Sequence, residues 1–131
     1  MPSGTVVIDQ QQTFAGPPIC MSVGPKLVFG SDSQQVITSD GEKRWVIQCA
    51  VSYRAEPGMK AAAEVIEVTV NGADPRGSIS EGQHVEFATL RLGVSAVERR
   101  GDRAVGGKAW YSASSVRPVG PRQSQPKADA A

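Results

Sequence analysis

From Trp45 to Arg54 the side chains alternate with a period of two. Trp45, Ile47, Cys49, Val51 and Tyr53 hold the odd positions, and Val46, Gln48, Ala50, Ser52 and Arg54 the even ones. Successive side chains of a strand point to opposite faces, so this run is a half-buried β-strand with Trp45, Ile47, Cys49 and Val51 inward. Tyr53 shares that inner face, and Arg54 lies on the outward one.

The same reading extends along the chain. Glu64–Val70 places Ile66, Val68 and Val70 on one parity. The Pro57-Gly58 pair before it and the β-branched residues in it favour a strand over a helix starting at Ala61. Gln35–Thr38 leads into Ser39-Asp40-Gly41-Glu42, and Asp-Gly between two strand-like runs predicts a hairpin with a type I′ turn. A first strand is expected to start at Lys26-Leu27-Val28-Phe29-Gly30. Residues 71–83 read as an irregular connector whose Ile79 plugs one end of the core.

A fourth strand, His84–Val97, changes phase. Val85 and Phe87 share one parity, whereas Leu90, Leu92, Val94 and Ala96 share the other. A one-residue shift near Ala88-Thr89 is what a β-bulge produces, and bulges bend strands around small barrels. A fifth strand runs from Lys108 and ends at Pro118. Five strands, no long helix and a bulge predict an all-β, five-stranded antiparallel OB-like barrel, with a β-sandwich as the alternative. The expected organisation is an N-terminal extension over residues 1–24, where Thr5–Ile8 can add an edge strand, and a barrel domain over 25–119. A disordered tail follows over 120–131, with nothing apolar to bury.

Charge separates the two ends of the chain. Residues 1–90 carry 6 basic and 10 acidic side chains, a net of −4, and residues 91–131 carry 8 basic and 3 acidic, a net of +5. The centre of the basic end is the loop Glu98-Arg99-Arg100-Gly101-Asp102-Arg103, closely followed by Lys108-Ala109-Trp110-Tyr111. Adjacent strand residues face opposite ways, so Lys108, Trp110, Ser112 and Ser114 share one face and Ala109, Tyr111 and Ala113 the other. Small alanines with one ring suit a narrow interior, which leaves Trp110 outside as a platform for a nucleic-acid base. Arg91, Arg99, Arg100, Arg103 and Lys108 are placed to hold phosphates, and Lys43, Arg44 and Arg54 to extend the track. The bland alternative is a solvated hairpin tip whose charges keep the edge from aggregating, with Trp110 in the core.

Other chemistry finds little support. His84 is the only histidine and has no nucleophile pattern around it; Cys20 and Cys49 lack metal-ligand spacing and read as reduced, buried thiols. Gly106-Gly107-Lys108 lacks the frame of a phosphate loop. The expectation is therefore no catalytic residue, no metal and no cofactor. No stretch has the apolar length of a membrane span, and Met1–Thr5 has no signal-peptide character, so the expected setting is cytoplasmic.

The run from Gly41-Glu42-Lys43-Arg44-Trp45 to Ser115-Val116-Arg117-Pro118-Val119 resembles small OB-fold, single-strand-binding-like proteins of actinobacterial plasmids and phages. Asp74-Pro75, Ile79 and Glu81-Gly82-Gln83-His84-Val85-Glu86-Phe87 carry that resemblance, with the terminal Val-Arg-Pro-Val. It implies binding of single-stranded DNA or RNA without sequence preference, accessory to replication or transfer of a mobile element. Typical bacterial single-strand-binding proteins end in an acidic, hydrophobic-tipped tail that recruits partners, whereas this chain ends Lys127-Ala128-Asp129-Ala130-Ala131. The competing expectation is a protein–protein interaction or assembly module, in which Trp110 and the long hairpin form an interface; a homo-oligomer is compatible with either.

Overall fold

The computed structural model describes residues 3–95, 97–106 and 109–119. Among the described residues there are ten strands, and helix is confined to one turn of α-helix, α1 (Gln10–Thr13), and one 3-10 turn, Pro75–Gly77. The strands are β1 (Ser3–Val7), β2 (Ile19–Pro25), β3 (Arg44–Ser52), β4 (Ala63–Asn71), β5 (Val85–Ala88), β6 (Arg91–Ser95), β7 (Val97–Arg100), β8 (Arg103–Gly106), β9 (Ala109–Ala113) and β10 (Ser115–Pro118). Six form one sheet in the order β1-β6-β9-β4-β3-β2; β5 pairs with β10, and β7 with β8.

The predicted alternation is realised in β3 and β4. Trp45, Ile47, Cys49 and Val51 from β3, with Ile66, Val68 and Val70 from β4, are buried on the inner face of the sheet. The β5–β10 ribbon covers that face with Val85, Phe87 and Val116, while Phe14, Ile79 and Leu90 close the core. Ile79 thus occupies the plug position assigned to it, and Thr5–Val7 do form an edge strand, paired antiparallel with β6.

The all-β class stands, but the barrel does not form. The large sheet is open, with β1 and β2 as its two edges, and it is mixed, because β4 and β9 run parallel. The physical reason lies at Thr89 and Ser114. The phase shift in His84–Val97 is more than a bulge in a continuous strand: Thr89 takes a positive φ of 50° and the chain changes sheets there. The opposite arm breaks at the same level, where Ser114 N–H donates to Ala88 C=O at 2.9 Å. One long hairpin is thereby divided, with β6 and β9 in the six-stranded sheet and β5 and β10 folded over it as a second layer.

Two further expectations are corrected. The run Lys26–Gly30, expected to start a strand, instead follows β2 (Ile19–Pro25), which carries a register shift between Cys20 and Ser22. The Asp40-Gly41 turn is not a two-residue type I′ turn: Gly41 N–H donates to Thr38 C=O at 2.9 Å and Thr38 N–H to Glu42 C=O at 2.8 Å, a wider loop. The tail over 120–131 lies outside the described residues.

Candidate nucleic-acid interface

Pairing in the large sheet sets which side chains share its outer face. The aligned residues Arg44↔Asn71, Val46↔Thr69 and Gln48↔Glu67 join β3 to β4, Thr69↔Ser112 joins β4 to β9, and Gly93↔Trp110 and Arg91↔Ser112 join β9 to β6. Trp110 therefore lies opposite a residue with no side chain. A β-carbon on Gly93 would come within 2.5 Å of both Cζ2 and Nε1 of Trp110, so the indole lies flat on the glycine backbone. An aromatic ring covering a cross-strand glycine is a recurrent way of steadying such a gap. The ring nevertheless remains 41% exposed. Tyr111, its neighbour in β9, faces inward and packs against the core.

Beside Trp110 lies a cleft of about 600 Å³ lined by Lys26, Arg44 and Arg91, with Thr69, Asn71, Ser112 and one carboxylate, that of Glu42. Three cations against one anion leave the cleft basic even though residues 1–90 are acidic overall. Arg44 is fixed in place by a hydrogen bond from Nε to Asn71 Oδ1 at 3.0 Å. Of the cleft cations, Arg44 and Arg91 are identifiable from the sequence. Lys26 is not, because its position depends on a backbone hydrogen bond to Arg44 C=O at 2.9 Å across the β2–β3 connection.

The remaining expected residues separate from this cluster. Arg99 and Arg103 are exposed on the β7–β8 hairpin. Arg99 is six residues from Gly93, hence at most about 22 Å from it along the chain. The side chain of Arg100 and the whole of Lys108 lie outside the described residues. Lys43 is exposed but is not among the residues that line the cleft, and its charge bears on Asp74 instead. Arg54 is a correction. Its backbone N–H donates to Thr13 C=O at 2.9 Å and its guanidinium to Gln11 C=O, which hold it against α1 in a different cleft with Glu86 and Arg117. It lies apart from the Lys26, Arg44 and Arg91 cleft.

The outer face is zoned. Ser22 Oγ donates to Gln48 Oε1 at 2.8 Å, and Gln48 Nε2 donates to Glu67 Oε2 at 3.2 Å, forming a polar row across β2, β3 and β4. Beyond that row Ile19, Ala50 and Val65 stand in register, and with Ala15 and Pro17 they line an apolar cleft.

The two cysteines lie on the inner face. Cys20 and Cys49 are direct partners across β2 and β3, both buried and both free thiols; burial, with Cys20 alongside, pushes Cys49 up to about 12. Burial also pushes the Tyr53 hydroxyl far above its ordinary value, aided by its hydrogen bond to Glu64. Among the described residues no cluster of His, Cys, Asp or Glu has the arrangement of a metal site, and no helix is long and apolar enough to cross a membrane. Comparison with family models, with curated proteins and with solved structures finds no match to this chain.

Proposed function

We propose that this chain binds single-stranded nucleic acid, DNA or RNA, with little sequence preference, as an accessory to replication or transfer of a mobile element. The observation that carries the reading is the Trp110 ring, flat on Gly93 and open to solvent, in a cleft bordered by Lys26, Arg44 and Arg91. An exposed ring stacks any base, because every base has a π-face, and neighbouring cations hold the phosphates of the same strand. In this reading Arg99, Arg100, Arg103, Lys108 and Lys43 add further phosphate contacts.

The test is fluorescence anisotropy of a labelled single-stranded oligonucleotide at low and moderate salt. Saturable binding is expected, with log K falling against log salt by about 0.7 for each phosphate neutralised. No binding at low salt by folded protein overturns the reading.

A second reading, a protein–protein interaction or assembly module, draws on the apolar end of the same face, where Ile19 and Val65 are exposed on either side of Ala50. A contact made by apolar burial is insensitive to salt, so the same titration against a protein partner separates the two.

A further inference from the structure

The connection between β2 and β3 is a finger, and its root is the cleft. Lys26 and Arg44 line the cleft, and their backbones are tied together: Lys26 N–H donates to Arg44 C=O at 2.9 Å, Arg44 N–H to Val36 C=O at 3.0 Å, and Val36 N–H to Lys26 C=O at 2.7 Å. Gln35 Nε2 adds a bond to Arg44 C=O at 2.8 Å. Further out, Val28 N–H donates to Gln34 C=O at 2.7 Å, and Ser31 Oγ accepts from Gln34 N–H at 2.9 Å. The tip is the tight turn Val28–Ser31, closed by Ser31 N–H to Val28 C=O at 2.9 Å, with Gly30 at φ +83°. Positive φ at the third position and a closing bond between first and fourth describe a type II turn, which projects its second residue outward.

That second residue is Phe29, and it is fully exposed. A phenylalanine ring left wholly in water at a hydrogen-bonded tip contributes nothing to the core, whereas a polar residue would serve the turn equally well. It lies three residues from Lys26, within about 11 Å of chain. Asp32, two residues past Gly30, places a carboxylate near the tip, which disfavours phosphate there but not the face of a base.

We propose that Phe29 is a second base-stacking ring, so that one strand is held at two places, on Trp110 at the sheet face and on Phe29 at the end of the finger, with Lys26 and Arg44 taking the phosphates between them. This inference rests on the nucleic-acid reading above and deepens it. The site then has a minimum length: a short oligonucleotide occupies Trp110 alone, and a longer one reaches both rings.

The experiment compares Phe29→Leu and Phe29→Tyr with the unaltered protein, using labelled single strands of about 4 and about 16 nucleotides, the range of site sizes of small stacking modules. Leucine keeps the apolar exposure and removes the ring; tyrosine keeps the ring. The expected result is a loss on the order of 10-fold for Phe29→Leu on the longer strand, no loss on the shorter one, and near-full affinity for Phe29→Tyr. An exposed side chain leaves folding unchanged, which thermal unfolding of the three proteins verifies. If the unaltered protein binds the longer strand and Phe29→Leu binds it equally, Phe29 is no stacking ring and the Trp110 reading survives. If Phe29→Tyr loses as much as Phe29→Leu, the inference also fails. No binding by the unaltered protein removes both.

Discussion

The two tryptophans of this chain lie in the same sheet, on opposite faces, and in opposite circumstances. Trp45 in β3 is 4% exposed; its Nε1–H donates to Gly72 C=O at 2.9 Å, and the Arg76 guanidinium sits 5.0 Å from its ring centroid. Arg76 is itself fixed by Asp74, Nη2 to Oδ2 at 2.6 Å, and that ion pair holds the Asp74 carboxyl below its ordinary value. Every surface of Trp45 is used by the fold. Trp110 in β9 rests one face on Gly93 and leaves the other open beside three cations. The fold thus spends one indole on stability and holds the other in position without covering it, which is what a binding platform requires.

Trp45→Ala removes a buried ring and orphans a carbonyl, with an expected cost of about 3–5 kcal/mol in chemical denaturation. Trp110→Ala, which uncovers the Gly93 backbone, should lower the denaturation midpoint by clearly less, so equal losses for the two variants would end the distinction. Gly93→Val forces a side chain into the space of the Trp110 ring. Overpacking of this kind costs about 1–3 kcal/mol, and binding should fall with it because the platform is displaced. Retained binding in Gly93→Val would mean that the ring's seat is irrelevant. Trp110→Ala itself should weaken single-strand binding by about 1–3 kcal/mol for the one base it stacks, measured by anisotropy, with Trp110→Phe recovering part of that. The charges come next. Lys26→Gln, Arg44→Gln and Arg91→Gln should each flatten the salt dependence by about 0.7, whereas Arg54→Gln, held against α1, should not. The smallest effect is at the buried ring's cap: Arg76→Ala should lower the denaturation midpoint only slightly, through the lost cation–π contact, and leave binding intact.

What was legible in the residues follows what is local. Trp45 to Val51 and Ile66 to Val70 announce their strands because an unbroken period of two needs no partner to be recognised. Ile19–Pro25 was hidden because the register shift at Cys20/Ser22, then Gly24 and Pro25, interrupts the period. The change of phase at Ala88-Thr89 was visible, but its meaning depends on Ser114 in the other arm and on β10 receiving β5, which no local pattern contains. The parallel pairing of β4 with β9 is equally non-local, and with it the open sheet in place of a barrel. At the site, the outward position of Trp110 follows from strand parity and the small alanines beside it. Gly93 as its seat, Lys26 as a cleft cation and Phe29 as an exposed tip depend on pairings across the sheet and finger. Arg54 shares the outward parity of β3, but the strand ends at Ser52 and parity carries no information beyond that point.

The most direct measurement uses Trp45→Phe, which leaves Trp110 as the sole indole, and follows its emission during titration with single-stranded DNA at low and then moderate salt. Saturable quenching that weakens as salt rises, and that is absent from the companion Trp110→Phe variant, is the predicted result. Unchanged emission from a folded Trp45→Phe protein at low salt, at concentrations where an oligonucleotide would be bound, would contradict the assignment of Trp110 as a base-stacking platform.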